Sequence, residues 1–121
     1  MGRRVLALDQ SSKVTGYAVF EDGALSDYGH FTCSDSDIAT RLMRIREQVE
    51  LLIDKYNITE MVIEDIQLQE GVGNNVATFK LLAEVYGVIT ELGAEKDIPT
   101  AAVLAIKWKN GLKFKTRHRE D

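Results

Sequence analysis

The arrangement of apolar and polar positions predicts three strands at the start of the chain. RVLALD, residues 4–9, is almost continuously apolar, which is typical of a strand covered on both faces. TGYAVFE, residues 15–21, and LSDYGHFT, residues 25–32, are separated by Asp22-Gly23, a strong signal for a tight hairpin turn. These segments therefore predict three consecutive antiparallel strands.

The pattern then changes to helical spacing. Apolar residues recur every three or four positions over residues 38–56, after a segment rich in helix-capping residues. EMVIEDI, residues 60–66, returns to the pattern of a strand. A second helix is predicted from about Val76 to Leu92, and IPTAAVLA, residues 98–105, predicts a fifth strand or a strand that passes into a short helix.

An antiparallel meander followed by helix, strand, helix and strand predicts an α/β fold. We expect one domain of 121 residues with a mixed five-stranded sheet, three antiparallel strands and then parallel additions, and helices on its faces. A right-handed crossover places the strand of Glu64 beside the first strand. The helix of Val76–Leu92 is apolar over most of its circumference, so we expect it to contact a further layer or subunit.

The charged residues are unevenly distributed. Residues 1–106 carry 9 basic and 17 acidic side chains, whereas residues 107–119 carry six basic side chains and no acidic one. An acidic body with a basic arm favours contact with phosphate groups, and a solvated tail is the alternative.

The single cysteine, Cys33, excludes an internal disulfide and a cysteine-based zinc site, which favours a reducing cytoplasm. No segment has the roughly 20 apolar residues of a membrane helix.

Two acidic residues interrupt apolar strand patterns. Asp9 ends the first apolar run, and Glu64 lies between apolar residues of the fourth predicted strand. If these strands are parallel neighbours, both carboxylates lie near the carboxyl ends, where open α/β sheets bind their ligands. Two adjacent carboxylates repel each other unless a cation lies between them, and oxygen ligands favour Mg²⁺ or Mn²⁺. The alternative for Asp9 is a turn-forming residue, and Asp65 should point to the opposite face.

LALDQSSKVTGYAVF, residues 6–20, followed by VIEDIQLQEGVGNNVATFKLLAEVYGVI, residues 62–89, resembles the RuvC-type Holliday junction resolvases of the ribonuclease H superfamily. The DQSS form is more similar to the phage or prophage branch. The resemblance implies a ribonuclease H-like fold and a structure-selective DNA endonuclease that makes paired nicks in branched DNA with a pair of Mg²⁺ or Mn²⁺ ions. It also implies a homodimer formed through the helix of Val76–Leu92, acting in the cytoplasm of a bacterial host.

The resemblance assigns roles to individual residues. Asp9 and Glu64 match the first two metal-binding acids, and Lys107 matches, to within one residue, a lysine that faces the scissile backbone. The small residues of QSSK leave space for a DNA backbone to approach. We expect further nucleic-acid contacts from the turn after Asp9, the loop after Glu64 and the basic arm, namely from Ser11, Ser12, Lys13, Gln67, Lys109, Lys113, Lys115, Arg117 and Arg119.

Two features depart from the family pattern. The family completes its site with one or two acids on a C-terminal helix, in an Asp-x-x-(Asp or His) pattern, whereas this sequence ends at KTRHRED. We therefore expect the complete protein to continue beyond this segment. The loop IQLQ, residues 66–69, has no aromatic ring where cellular members stack one on a base, so we do not expect base stacking there.

Other functions remain open at this stage. A related RuvC-like nuclease could act on RNA, although those proteins usually show GxDxGxxRxG near the start, and this sequence has neither the glycine nor the arginine. A non-catalytic module that binds branched DNA would keep the fold and the basic arm. An actin-like ATPase would need a second similar domain, which 121 residues cannot hold.

Overall fold

The computed structural model describes residues 2–11, 13–66 and 76–103. Seven elements alternate as the sequence predicts: β1 (Arg4–Gln10), β2 (Val14–Glu21), β3 (Ala24–Thr32), α1 (Ile38–Tyr56), β4 (Glu60–Glu64), α2 (Val76–Glu95) and β5 (Thr100–Val103). Strand β4 ends at Glu64, two residues earlier than predicted, and α2 continues three residues beyond Leu92. The residues after Val103 in the predicted fifth strand or short helix lie outside the described part of the chain.

The strands form one mixed sheet in the order β3-β2-β1-β4-β5. β1 is antiparallel to β2 and parallel to β4, while β5 is parallel to β4. The hairpin between β2 and β3 turns at Asp22 and Gly23, whose φ angles of 51° and 86° are those of a tight primed turn. The α/β prediction and the placement of the Glu64 strand beside β1 are therefore confirmed.

Both helices pack on the same face of the sheet. Leu6 and Leu8 of β1 point to this face, where they join a buried cluster with Val49 of α1 and with Ile89 and Leu92 of α2. The apolar stripes of two amphipathic helices thus share one core with the sheet. Within the described residues, no helix combines the length and hydropathy needed to cross a membrane.

Helix α1 has a defined cap at each end. Its N-cap residue is Asp37, whose carboxylate accepts hydrogen bonds from the backbone N–H and the hydroxyl of Thr40. These bonds lower the pKa of Asp37 because they favour the ionised carboxylate. At the other end Asn57 adopts a left-handed conformation and its N–H bonds to the carbonyl of Ile53.

Ion pairs join the solvent-facing sides of the two helices. The guanidinium of Arg46 on α1 bonds to Glu91 and Glu95 of α2. Lys96, just after α2, pairs with Glu50 of α1 at 2.8 Å, and this contact lowers the pKa of the Glu50 carboxyl. The acidic side chains near the C-terminal end of α2 therefore face α1.

The opposite face of the sheet carries the other set of alternating side chains. Partner residues in parallel strands share a face, so Ala7 of β1 and Val62 of β4 point away from the two helices. The run of apolar residues in β1 predicted a strand covered on both faces, and the described helices cover only one of them. Asp9 and Glu64, two positions beyond Ala7 and Val62, follow the same alternation onto this second face.

Candidate active site at the ends of β1 and β4

The register of the parallel strands brings the two predicted acids together. The last partners are Leu8 of β1 and Ile63 of β4, and the next residues of the two strands are Asp9 and Glu64. Neighbouring strands lie about 4.8 Å apart, and residues at equal height in a parallel pair share a face. The two carboxylates therefore emerge side by side at the carboxyl ends of adjacent strands, on the face away from the helices.

Asp9 lies at the more open side of this pair. Its side chain is exposed, and its partner on β2 is Gly16. A Cβ atom at Gly16 would lie 3.9 Å from the Cβ of Asp9, so the absence of a side chain at Gly16 keeps the space beside the carboxylate open. The sequence signal for this open space was a glycine inside a strand pattern, because such a glycine often marks a place where another group approaches the strand closely.

Glu64 lies at the more enclosed side. The residue is half-buried, and its Oε2 atom is shielded from solvent. A negative charge in a region of lower dielectric gains more from a nearby cation than a charge in water does. Burial of one carboxylate oxygen beside a second carboxylate therefore favours occupation of the pair by a cation.

The donor atoms fit a hard divalent cation. Carboxylate oxygens from Asp9 and Glu64 suit Mg²⁺ or Mn²⁺, which commonly bind one or two protein carboxylates and complete their shells with water and phosphate oxygens. In residues 2–11, 13–66 and 76–103, no group of three or more His, Cys, Asp or Glu side chains is placed to hold a metal ion. Within these residues, Asp9 and Glu64 are a pair of acids that could contribute to such a site.

Asp65 is separated from this pair. Its backbone N–H donates to the carbonyl of Val103 at 2.7 Å, and its carboxylate accepts from the N–H of Ile66 at 2.8 Å. This hydrogen bonding agrees with the prediction that Asp65 is a hydrogen-bonding residue, whereas the side on which its carboxylate lies stays a prediction because β4 ends at Glu64. It also makes Asp65 an internal control for experiments on Glu64.

Sequence reasoning missed the role of Gln10. We expected the small residues of QSSK to leave space for a DNA backbone and gave Gln10 no contact of its own, but Gln10 is only 7% exposed and its side chain is directed towards β4. Its Nε2 donates to the carbonyl oxygen of Glu64 at 2.7 Å, and its Oε1 accepts from the N–H of Glu64 at 3.2 Å. The sequence contained a signal for this burial, because side chains alternate between the two faces of a strand and Gln10 continues the buried positions Leu6 and Leu8.

Ser11 and Lys13 lie in the turn that follows. The hydroxyl of Ser11 donates to the carbonyl of Val14 and accepts from the Val14 N–H at 3.1 Å, so this hydroxyl holds the turn together. Lys13 is exposed, and its carbonyl accepts from the N–H of Cys33. A nucleic-acid contact for either residue stays a prediction.

Lys13 also lines a cavity of about 510 Å³ between the β1–β2 turn and the N-terminal ends of both helices. Arg41 of α1 and Lys80 of α2 line the same cavity, together with one acidic residue, Glu84. Arg41 is buried, and its Nε donates to the carbonyl of Asp35 at 2.7 Å, whereas Lys80 is exposed. The cavity therefore has a net positive lining at the same edge of the sheet as Asp9.

The remaining predicted site residues lie outside the described part of the chain. Their roles stay predictions from the sequence. They are Ser12, Gln67, Lys107, Lys109, Lys113, Lys115, Arg117 and Arg119.

Comparison with known families identifies the family of the chain. A sequence model of the family described as crossover junction endodeoxyribonuclease RuvC matches residues 5–113. The chain belongs to the RuvC family. The matched range includes both strands that carry Asp9 and Glu64, and a metal-binding role for these two residues stays a prediction.

Curated relatives in the RuvC family are distant. A crossover junction endodeoxyribonuclease RuvC from Chromobacterium violaceum is 27% identical over 119 residues, covering 93% of this chain and 64% of the relative. The protein of the same name from Pelobacter propionicus is 25% identical over 114 residues, covering 90% of this chain and 62% of the relative. The chain therefore spans less than two thirds of the length of these relatives.

Solved RuvC structures share the fold. Thermus thermophilus RuvC in complex with a Holliday junction substrate superposes with a TM-score of 0.73 at 13% identity, covering 89% of this chain and 68% of that one. The yeast mitochondrial Holliday junction resolvase Ydc2 gives a TM-score of 0.58 at 16% identity, covering 84% of this chain and 50% of that one. At these identities the likeness establishes the ribonuclease H-like architecture.

Proposed function

We propose that the protein is a metal-dependent, structure-selective DNA endonuclease that resolves Holliday junctions or other branched DNA by paired nicks. The observation that carries the proposal is the emergence of Asp9 and Glu64 side by side at the ends of adjacent parallel strands, in a chain of the RuvC family. The names of the curated relatives and the junction complex of the Thermus protein support the same activity. Such an enzyme acts in the cytoplasm, that of the bacterial host if a phage encodes it.

The residues at the site suit the hydrolysis of a phosphodiester. Asp9 and Glu64 would hold the Mg²⁺ or Mn²⁺ ions, and Gly16 leaves space beside Asp9 for the DNA backbone. Divalent cations held there would activate the attacking water and stabilise the leaving oxygen. Lys107 would add positive charge near the scissile phosphate, where negative charge develops during the reaction.

The first prediction concerns the acid pair. In the full-length protein, Asp9→Asn and Glu64→Gln keep the shape of each side chain but remove the charge that holds a cation. We expect each change to reduce Mg²⁺-dependent cleavage of a synthetic four-way junction by at least about 10²-fold, since loss of even outer-shell support costs metal enzymes 10–100-fold. Binding of the junction should persist.

Asp65→Asn is the matched control, because it makes the same chemical change one residue from Glu64, at a carboxylate that bonds to the backbone of Ile66. It should retain cleavage. Unchanged cutting by both Asp9→Asn and Glu64→Gln would refute the assignment. Junction binding without any cleavage by the wild-type full-length protein would instead favour a non-catalytic binding module, and preferential cutting of RNA would favour the RNA nuclease.

The proposed path of the DNA backbone follows the positive charge near the site. Lys13 and Lys80 are exposed at the cavity on the same edge as Asp9, and the basic arm of residues 107–119 carries six further cations. The rest of the chain is acidic and repels DNA. Phosphate contacts by these cations would therefore orient the DNA with its scissile bond towards the acid pair.

The second prediction tests this path by salt dependence. One variant replaces Lys13 and Lys80 with Gln, and a second replaces Lys113, Lys115, Arg117 and Arg119 with Gln. In each variant, junction affinity should depend less steeply on salt concentration. The log–log slope should fall by up to about 0.9 for each phosphate that the protein no longer neutralises. The control is Lys55→Gln, because Lys55 lies about 20 Å along α1 from Arg41. A salt slope equal to that of wild type in both charge variants would place these cations in solvent.

Paired nicks require two active sites, and α2 offers a surface for a homodimer. Helical spacing aligns Phe79, Ala83, Gly87 and Thr90 on one side of α2. Phe79 is 36% exposed, and a Cβ built at Gly87 would meet no atom within 4 Å apart from its chain neighbours and the backbone of its own helix. The second chain would cover this stripe while Glu91 and Glu95 remain paired with Arg46 on α1.

The third prediction is that Phe79→Asp prevents dimer formation, because it places a charge in the proposed apolar interface. Sedimentation equilibrium should show a monomer, and the variant should lose paired nicking of the junction. Leu51→Asp is the control, since Leu51 is an exposed apolar residue on α1 that lies outside this stripe. A monomeric wild-type protein, or a Phe79→Asp variant that remains dimeric, would contradict the proposed interface.

A further inference from the structure

The strand pairing that aligns the two acids stops immediately before them. Leu8 and Ile63 are the last partners of β1 and β4. β1 itself continues to Gln10, where it is still paired with Thr15 of β2. β4 still pairs with β5 at Glu64, through Val103, but on the side of β1 the position of Glu64 depends on the contact that follows the end of the ladder.

That contact is made by a side chain. The amide of Gln10 donates from Nε2 to the carbonyl oxygen of Glu64 at 2.7 Å and accepts at Oε1 from its N–H at 3.2 Å. One planar group thus bonds to both polar backbone groups of the residue that carries the second carboxylate. Because Gln10 is only 7% exposed, water competes little for these bonds.

We propose that Gln10 is a positioning residue that fixes Glu64 relative to Asp9 and so sets the separation of the two metal-binding carboxylates. The inference rests on the proposed function of the acid pair. Gln10 follows Asp9 directly in the chain, and its side-chain amide bonds to the backbone of Glu64. The two acids are therefore connected through one peptide unit and one side-chain amide. Any shift of Gln10 changes the position of Glu64 and the direction of Asp9 together.

The chemistry of the amide explains why glutamine suits this position. A carboxamide is one of the few uncharged side-chain groups with both a donor and an acceptor in one plane, as a peptide has. A glutamate of the same shape cannot donate to the Glu64 carbonyl when ionised, and its charge would repel the nearby acids. A leucine of similar size forms neither bond and would leave the Glu64 carbonyl without this donor.

The test compares Gln10→Leu and Gln10→Glu with Thr15→Val in the full-length protein. Thr15 is the β2 partner of Gln10 and is 2% exposed, so Thr15→Val also removes a buried polar group at the same height of the sheet. Three quantities are measured: Mn²⁺ affinity by calorimetric titration, the Mg²⁺ concentration for half-maximal junction cleavage, and the thermal midpoint. Junction affinity without divalent cations is measured in parallel.

We expect both Gln10 variants to bind Mn²⁺ about 10-fold more weakly or worse, as loss of an outer-shell partner does at other metal sites. The Mg²⁺ requirement for cleavage should rise in parallel, and junction affinity should not change. Thr15→Val should keep the Mn²⁺ affinity of wild type. Mn²⁺ affinity unchanged in Gln10→Leu, or weakened equally in Thr15→Val, would overturn the proposal.

The two proposals fail separately in this design. If the wild-type protein binds Mn²⁺ but cuts no junction, the endonuclease proposal fails while the titrations still decide the role of Gln10. If the wild type cleaves and Gln10→Leu behaves like wild type in every measurement, only the positioning role is refuted.

Discussion

The parallel pairing of β1 with β4 is the constraint on which the rest of the structure depends. It places Asp9 and Glu64 at equal height on one face, although 54 residues separate them in the chain. Side chains alternate with a period of two along a strand, so a slip of one residue in this register would send Glu64 to the face of the buried core. The crossover through α1 makes the pairing parallel and thereby brings two carboxyl ends to one edge.

The two faces of the sheet then perform different tasks. The face of Leu6 and Leu8 packs against both helices and supplies the buried core. The other face carries the acid pair, where two like charges raise the free energy of the fold unless a cation compensates them. The buried core behind the strands would hold the carboxylates in place for such a cation, as precise functional sites require.

Much of this arrangement could be predicted from the sequence. Alternation and the Asp22-Gly23 signal identified the antiparallel strands, helical spacing identified α1 and α2, and crossover handedness placed Glu64 beside β1. The choice of one sheet face for both helices could not be predicted, because an amphipathic stripe does not specify which face it covers. The bonds from Gln10 to Glu64 could not be predicted from the sequence either, because they depend on where the pairing of β1 with β4 ends.

The proposed function depends on the joint binding of a divalent cation by Asp9 and Glu64. The most direct test is a crystal structure of the full-length protein grown with Mn²⁺, with anomalous scattering recorded near the manganese edge. The predicted result is an anomalous peak within coordination distance, about 2.0–2.3 Å, of carboxylate oxygens from both Asp9 and Glu64. Manganese bound at other residues, with both of these carboxylates free of metal, would contradict the account.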